Sequence, residues 1–484
     1  MYFKKVLFII SILVYSTLVF SQNITYKIVD TNLKTFYNNT SAISEPTEKD
    51  DFFGQDAHYN GFQSSYSNNG DSTITDNVTG LIWQQNMGEK ISFDDAFIKA
   101  EALTLGGYTD WRVPSLKELY SLILFSGITG QSESNSTPYI DIEYFDQPYG
   151  NENLGERFID AQTWSATEYV GEIMHANDGI FGVNFIDGRI KGYPKTKPAT
   201  DSPNKMYFRL VRGNFEYGKN NFINNKNGTV TDLATGLMWQ QTDNGQTYNW
   251  QTALEYAENM ELAGHSDWRL PNPKELQSIV DYTRCPDITN SAAIDSVFYC
   301  TEINDPDGKP GHYGFNSTGT THHDGPQIGK HAIYVAFGEA QGVMNSELLD
   351  VHGAGAQRSD PKSGEREDYP QFFGPQGDVR YVYNFVRCVR TLDTLQTGLN
   401  SIQKNDINIY PNPCSDSCQI TFDENTLFSK IKVVNISGKT IKTINPDEVH
   451  SGTILVNMDK LEPGIYFLII QGKNETISEK IIKV

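Results

Sequence analysis

Between Glu302 and Lys362 the chain gathers side chains able to bind a metal or move a proton. His312, His322, His323, His331 and His352 are five of its nine histidines, and Asp305, Asp307, Asp324, Asp350 and Asp360 lie among them. Three chemistries compete for this stretch. Calcium takes about six to eight oxygen ligands, and Asn304-Asp305-Pro306-Asp307-Gly308 offers a start, which makes Asp305 and Asp307 the calcium candidates. A transition metal wants neutral imidazoles in fixed geometry, but His322 and His323 are adjacent and no His-x-x-x-His pair is present. The plain alternative is a polar surface loop carrying scattered histidines. Further on, Gly353 and Gly355 allow a tight loop in which His352, Gln357, Arg358 and Asp360 either converge on a ligand or knit the loop to itself. It is no phosphate loop, lacking Gly-Lys-Ser/Thr. The candidate ligand-binding set is therefore His322, His323, Asp324, His352, Gln357, Arg358 and Asp360. No Gly-x-Ser-x-Gly elbow, metalloprotease helix or paired cysteine nucleophile appears, so no catalytic residue is assigned, although carboxylates are numerous enough to leave a glycosidase pair open.

What must position these residues is a duplicated unit. Thr75-Asp76-Asn77-Val78-Thr79-Gly80-Leu81-Ile82-Trp83-Gln84-Gln85 returns as Thr231-Asp232-Leu233-Ala234-Thr235-Gly236-Leu237-Met238-Trp239-Gln240-Gln241. Asp110-Trp111-Arg112-Val113-Pro114 returns as Asp267-Trp268-Arg269-Leu270-Pro271, each followed by Lys-Glu-Leu. The offsets, 156 and 157 residues, agree, and they are too long for a solenoid, whose periods run roughly 20–50 residues. The stretch of acid and histidine is the unequal part. It runs from Arg269 to Arg390 in the second copy, against Arg112 to Arg212 in the first. Long loops inside compact domains carry function or disorder.

In each copy a turn favoured by Asp and Gly leads into a short strand ending at Trp83 or Trp239. Phe93, Ala96, Phe97 and Ala100 share one helical face, as do Trp250, Ala253, Leu254 and Ala257. Ser115 and Glu118 form a capping box into a second helix, and Asn272, Pro273 and Glu275 repeat it in other letters. Trp83, Asp110, Trp111, Arg112, Glu118, Trp239, Asp267, Trp268, Arg269 and Glu275 read as structural motif residues, with Trp111 in a core and Arg112 paired to a carboxylate such as Glu118. A ligand role for Arg112 and Arg269 is the other reading. Closing strands carry Arg209 and Arg212, then Arg387 and Arg390. The order β-α-α-β-β-β predicts an α+β domain in each repeat.

Residues 1–21 read as a cleavable export signal, with Lys4 and Lys5 before an apolar run and Val19-Phe20-Ser21 before Gln22. No other segment is apolar enough to span a bilayer. A formal net charge of −21 argues against nucleic acid as a partner. Export invites disulfides. Cys285 and Cys300 flank one loop, whose closure would contribute about 3 kcal/mol. Cys414 and Cys418 bracket a turn, and Cys388 reads as a buried thiol.

From Ile407 seven short β-type runs separated by turns predict a small β-sandwich. Tyr410-Pro411-Asn412-Pro413, Ser437-Gly438-Lys439, Leu461-Glu462-Pro463-Gly464-Ile465-Tyr466 and the terminal Lys480-Ile481-Ile482-Lys483-Val484 resemble the type IX secretion C-terminal sorting domain. That resemblance implies handling by the type IX secretion machinery, transit of the outer membrane, and a place outside the cell or on its surface.

The paired tryptophan and Asp-Trp-Arg motifs, the Lys-Glu-Leu triplets and the closing Val-Arg strands resemble the Lcl C-terminal domain family, over nearly all of residues 24–391. The resemblance implies a fold like C-type lectin-like and formylglycine-generating-enzyme-like domains, hence an α+β class with two tandem C-type lectin-like domains followed by a small all-β immunoglobulin-like sandwich. Boundaries are expected at 22–213 and 214–392, a linker at 393–406 and the sorting domain at 407–484. The implied function is a secreted or surface-anchored non-catalytic protein that recognises a glycan or another extracellular polymer, calcium being a candidate cofactor. The alternative is a secreted hydrolase or modifying enzyme acting through the insert of the second repeat.

Overall fold

The structure is a computed structural model describing residues 24–174, 176–370, 372–392, 407–422, 428–435, 439–444, 453–472 and 476–484. The export signal at 1–21 and the linker at 393–406 lie outside the described residues. Ile24–Thr391 form one compact unit, and the described residues from Leu392 to Val484 belong to another.

Each repeat builds a four-stranded antiparallel sheet around its tryptophan motif. In the first, the order is Val211–Arg212, Ile82–Gln84, Thr73–Asp76 and Tyr66–Asn68; in the second, Val389–Thr391, Leu237–Gln240, Thr229–Asp232 and Phe222–Asn224. Trp83 sits opposite Val211 and Trp239 opposite Val389, so the closing strand meets the motif strand in one register twice. Asp76 turns the chain by accepting from the amides of Val78 (2.9 Å) and Thr79 (3.2 Å), and Asp232 does so at Ala234 (3.1 Å). This is the Asx turn that the Thr-Asp-x-x-Thr-Gly spacing encodes.

Two helices follow each motif: α1 (Phe93–Ala102) and α2 (Leu116–Ser121), then α3 (Trp250–Glu258) and α4 (Pro273–Ser278). Ser92 and Asn249 cap α1 and α3, while α2 and α4 both open on complete capping boxes. The helices are short. The described residues are 36% strand and 11% helix, so the expected α+β, C-type lectin-like architecture does not hold, and the fold is β-rich with many small sheets. The physical reason lies in the stretches after α2 and α4, for which the β-α-α-β-β-β order allowed only three strands each, with long loops before the last. These stretches contain the longest strands of this unit, among them Gln162–Ile173, Asn177–Asn184 and Phe315–His322.

Those strands join the repeats. One seven-stranded sheet runs Phe315–His322, His331–Ala336, Gln357–Pro361, Arg189–Pro194, Asn177–Asn184, Gln162–Ile173, Tyr207–Phe208. It passes from the second repeat to the first where Gln357 pairs with Ile190. A single apolar cluster likewise includes Trp83, Leu119 and Phe125 from one repeat and Trp239, Leu276 and Val335 from the other.

In the other unit, seven strands form two antiparallel sheets, three-stranded (Ile407–Tyr410, Ser417–Phe422, Thr453–Asn457) and four-stranded (Thr440–Ile444, Phe428–Asn435, Gly464–Gly472, Thr476–Lys483). Ile420, Ile431, Val433, Val456 and Leu468 fill its core.

Candidate functional site

The two Asp-Trp-Arg elements reproduce one another atom for atom. Trp111 Nε1 donates to Leu105 O at 3.2 Å and Trp268 Nε1 to Leu262 O at 3.3 Å. Arg112 grips both oxygens of Glu118 at 2.6 and 2.5 Å, and Arg269 grips Glu275 at 2.7 and 2.6 Å. Asp110 binds Arg212 as Asp267 binds Arg390, both at 2.7 Å. Trp83 and Trp239 are fully buried. Bidentate Arg–carboxylate pairs fix geometry as well as supply energy, so each pair locks the entry to α2 or α4 onto its closing strand.

The sequence-predicted ligand set is dispersed along the contact between repeats. His322 is buried; its Nε2 donates to Asp187 O at 3.0 Å, leaving Nδ1 to accept from Ser359 Oγ at 2.8 Å. Burial and the nearby Arg189 hold this imidazole well below its usual range. His323 Nδ1 lies 3.1 Å from Gly127 O, and Tyr139 donates to the His323 carbonyl at 2.7 Å. Asp324 forms an ion pair with Arg189 of the first repeat, which keeps its carboxyl ionised. Gln357 accepts from Tyr120 at 3.0 Å. His352 contacts Asp378 (2.8 Å) and Arg358 (2.6 Å), while Arg358 also pairs with Asp378. Asp360 accepts from the Tyr381 amide at 2.9 Å, and burial pushes its carboxyl up to about 7. All seven make contacts within the chain, four of them by reaching into the first repeat.

Among the described residues no group of three or more His, Cys, Asp or Glu is placed to hold a metal ion. Asp305 closes a turn instead, accepting from the Lys309 amide at 2.8 Å, and Asp307 is exposed. The disulfide expected between Cys285 and Cys300 is not formed; these, like Cys388, Cys414 and Cys418, are free thiols. Cys285 is buried at the start of the Pro286–Thr289 helix, whereas Cys300 Sγ faces Arg387 Nη2 at 3.4 Å, so the two thiols serve different neighbourhoods.

The open site is elsewhere, in a cleft of about 570 Å³ where the repeats meet. One wall is the start of α2 with Arg112, Ser115 and Lys117; the facing wall is the end of the α4 segment with Val280, Asp281 and Tyr282. The connector between repeats supplies Phe215 and Asn220. Phe215 is 61% exposed and its ring lies 4.9 Å from the Arg112 guanidinium. Lys117 crosses the floor to donate to Asn220 Oδ1 (2.8 Å) and Ser278 O (2.6 Å), and burial brings its ammonium down to about 8.

Lys117 has a reciprocal partner. Lys274, its counterpart, donates to Ser121 O at 2.9 Å, and Ser121 is the counterpart of Ser278. Each repeat thus grips the other identically, as in an isologous dimer contact. A second cleft should therefore exist beside α4, and it does, but residues 24–62 fill it. Asp56 from that segment is buried against Thr31 and Thr320, with its carboxyl pushed by burial up to about 7.

That shift has a measurable consequence. An unfolded aspartate titrates near 3.9, so between about pH 4 and 7 the folded chain holds a proton that the unfolded chain has released. The contribution of Asp56 is fully present below about pH 4 and lost as pH rises to about 7. Asp56→Asn should make the slope of unfolding free energy against pH more positive by up to about 1.4 kcal/mol per pH unit in that window. Urea titrations across pH 4–7 measure it, and parallel curves for the two proteins would contradict the assignment.

Sequence reasoning singled out Arg112 but missed Phe215, Asn220 and Tyr282. An exposed phenylalanine three residues past a closing arginine was the available signal.

The model of the Lcl C-terminal domain family matches residues 72–212 and 228–348, together more than half of the chain, and that of the secretion system C-terminal sorting domain matches residues 408–484. A comparison with curated proteins found no match.

Proposed function

This chain belongs to the Lcl C-terminal domain family and ends in a type IX secretion sorting domain, and from that premise we propose that it is a non-catalytic binding protein holding an extended extracellular polymer in the cleft between its repeats. The sorting domain indicates export across the outer membrane to the cell surface or the extracellular space. Among the described residues no helix is long and apolar enough to cross a membrane.

The single observation carrying the reading is the open cleft itself, with an exposed aromatic ring beside a locked guanidinium. Ligand sites combine apolar platforms with a few placed polar groups, and Phe215, Tyr282, Asn220 and Lys117 provide both kinds. The cleft carboxylates weigh against catalysis. Glu118 is held at both oxygens by Arg112, and Asp281 and Asp295 close turns onto Thr283 and Val297. A hydrolase acting through the insert is disfavoured because His322, Asp324, His352 and Asp360 are bound into contacts with neighbouring strands and the first repeat.

Replacing one exposed aromatic anchor commonly costs more than about 1.4 kcal/mol, a tenfold change in affinity. The mature chain, tested on immobilised oligosaccharides and peptides, should bind at least one class saturably, and Phe215→Ala should weaken that binding at least tenfold with an unchanged thermal midpoint. Turnover of a polymer, or binding indifferent to Phe215→Ala, would reverse the reading.

A further inference from the structure

The filled cleft displays what the open one is shaped to hold. In the second repeat the occupants are two separate stretches of residues 24–62, one passing α4 at Asp30 and Thr31, the other running from Gly54 to Tyr59 through a 3-10 helix at Asp56–His58. Lys274 donates to the backbone carbonyl of Asp30 at 3.3 Å. The Phe125 amide donates to the carbonyl of Thr31 at 2.7 Å. Thr320 donates its hydroxyl to the Asp56 carboxylate at 2.7 Å. The Tyr59 ring lies 5.2 Å from the Arg269 guanidinium. Two of these four contacts read backbone carbonyls, one reads a carboxylate, and one stacks an aromatic ring.

The same groups line the open cleft. Lys117 stands for Lys274, Tyr282 for Phe125, Thr167 for Thr320 and Arg112 for Arg269, all four in its walls. The equivalence of the strands is fixed by a shared hydrogen bond. Ala166 N donates to Pro114 O at 2.7 Å, and Gly319 N donates to Pro271 O at 2.9 Å. In the open cleft Asn220 and Phe215 of the connector already meet Lys117 and Arg112 as Asp30 and Tyr59 meet Lys274 and Arg269, which leaves the Thr167 side without a counterpart of Asp56. Gly319, Thr320, Lys274 and Arg269 are buried, whereas Ala166, Thr167, Lys117 and Arg112 are partly open. Thr167 Oγ1 accepts from the Leu116 amide at 2.9 Å, which leaves its own proton to donate to a ligand oxygen. In the second repeat Pro273 occupies the Leu116 position and has no amide proton to give.

We infer that the open cleft binds a segment of another polypeptide resembling residues 54–59, taking its acidic side chain through Thr167 as Thr320 takes Asp56. This rests on the reading of the cleft as the binding site. One substitution sets the fit. A methyl group at Gly319 would lie 3.2 Å from the Asp56 nitrogen, closer than ordinary contact, and 3.5 Å from the Gly54 carbonyl oxygen, an ordinary contact. The open cleft carries exactly that methyl, on Ala166, so its ligand rides a few tenths of an ångström further out, and weaker binding follows.

The probe is a fluorescein-labelled peptide with the sequence of residues 52–61, titrated by anisotropy against the mature chain. Saturable binding is expected, at least fivefold weaker for the peptide carrying Asp56→Asn and for the chain carrying Thr167→Val. Thr167→Ser should restore it, because serine keeps the hydroxyl. Ala166→Gly should tighten it several-fold, a gain that a damaged fold cannot produce. Binding indifferent to Asp56→Asn, Thr167→Val and Ala166→Gly would overturn the assignment. Should the peptide fail while an oligosaccharide binds in a Phe215-dependent way, the polypeptide ligand falls and the cleft reading stands. Should neither ligand bind, both fall.

Discussion

Arg387→Met is expected to lower the free energy of unfolding by about 3–5 kcal/mol, a large fraction of what holds a domain together. Arg387 is fully buried and donates to Gln240 O (2.9 Å), Gln241 O (2.6 Å) and Tyr299 O (2.9 Å). Its neighbouring carboxylate, Asp243, is 4.0 Å away, so the guanidinium acts chiefly as a knot of carbonyls. Methionine fills much of the volume but donates nothing; Gln240 O and Tyr299 O lose this donor at about 1–3 kcal/mol each before relaxation, while Gln241 O keeps the Tyr299 amide at 3.0 Å. Arg209 makes the matching knot in the first repeat, with Gln84 O at 2.9 Å, Gln85 O at 2.5 Å and Asp146 O at 2.8 Å. Arg209→Met should therefore cost about as much as Arg387→Met. Guanidinium chloride unfolding of the two variants measures both. A loss under about 1 kcal/mol in either would mean that the carbonyls find other partners.

The duplication was open to sequence reasoning because it rests on local patterns. The Asx turns at Asp76 and Asp232 and the capping boxes at Ser115 and Asn272 involve partners within a few residues, where spacing and residue type suffice. Arg112 and Glu118, six residues apart, could be joined on the same ground. The strands of the terminal unit were readable from turn residues and alternation. What spacing could not supply was any partner at long range. Asp324 finds Arg189 and Gln357 finds Tyr120 across the repeat boundary. A buried polar residue satisfied by a distant partner has the same letters as a ligand-binding one, which is why the insert resembled a site. The fold class failed for a related reason. Helical periodicity in α1 to α4 is easy to see, whereas strands buried on both faces, such as Phe315–His322 with its threonines and glycine, show no alternation. The cleft was hidden as well, because residues 24–62 fill one of two equivalent spaces and nothing local in that segment says so.

Both repeats contribute to one sheet, one apolar cluster and a reciprocal pair of lysines, so neither has a complete core alone. The first repeat in isolation would expose Leu119, Tyr120 and Phe125, all buried in the cluster it shares with Leu276, Ile279 and Val335. Uncovering several such side chains costs about 1.5–3 kcal/mol each, comparable with the whole stability of a domain. Residues 22–213 are accordingly expected to show no cooperative unfolding transition.

The most direct measurement is hydrogen exchange of the full chain in rising denaturant, followed separately in peptides covering Thr73–Gln84 and Thr229–Gln240. The expected result is a single midpoint shared by the two motif hairpins. Protection of one hairpin persisting after the other has exchanged, together with a folded 22–213 fragment, would contradict the claim that the repeats are halves of one folding unit.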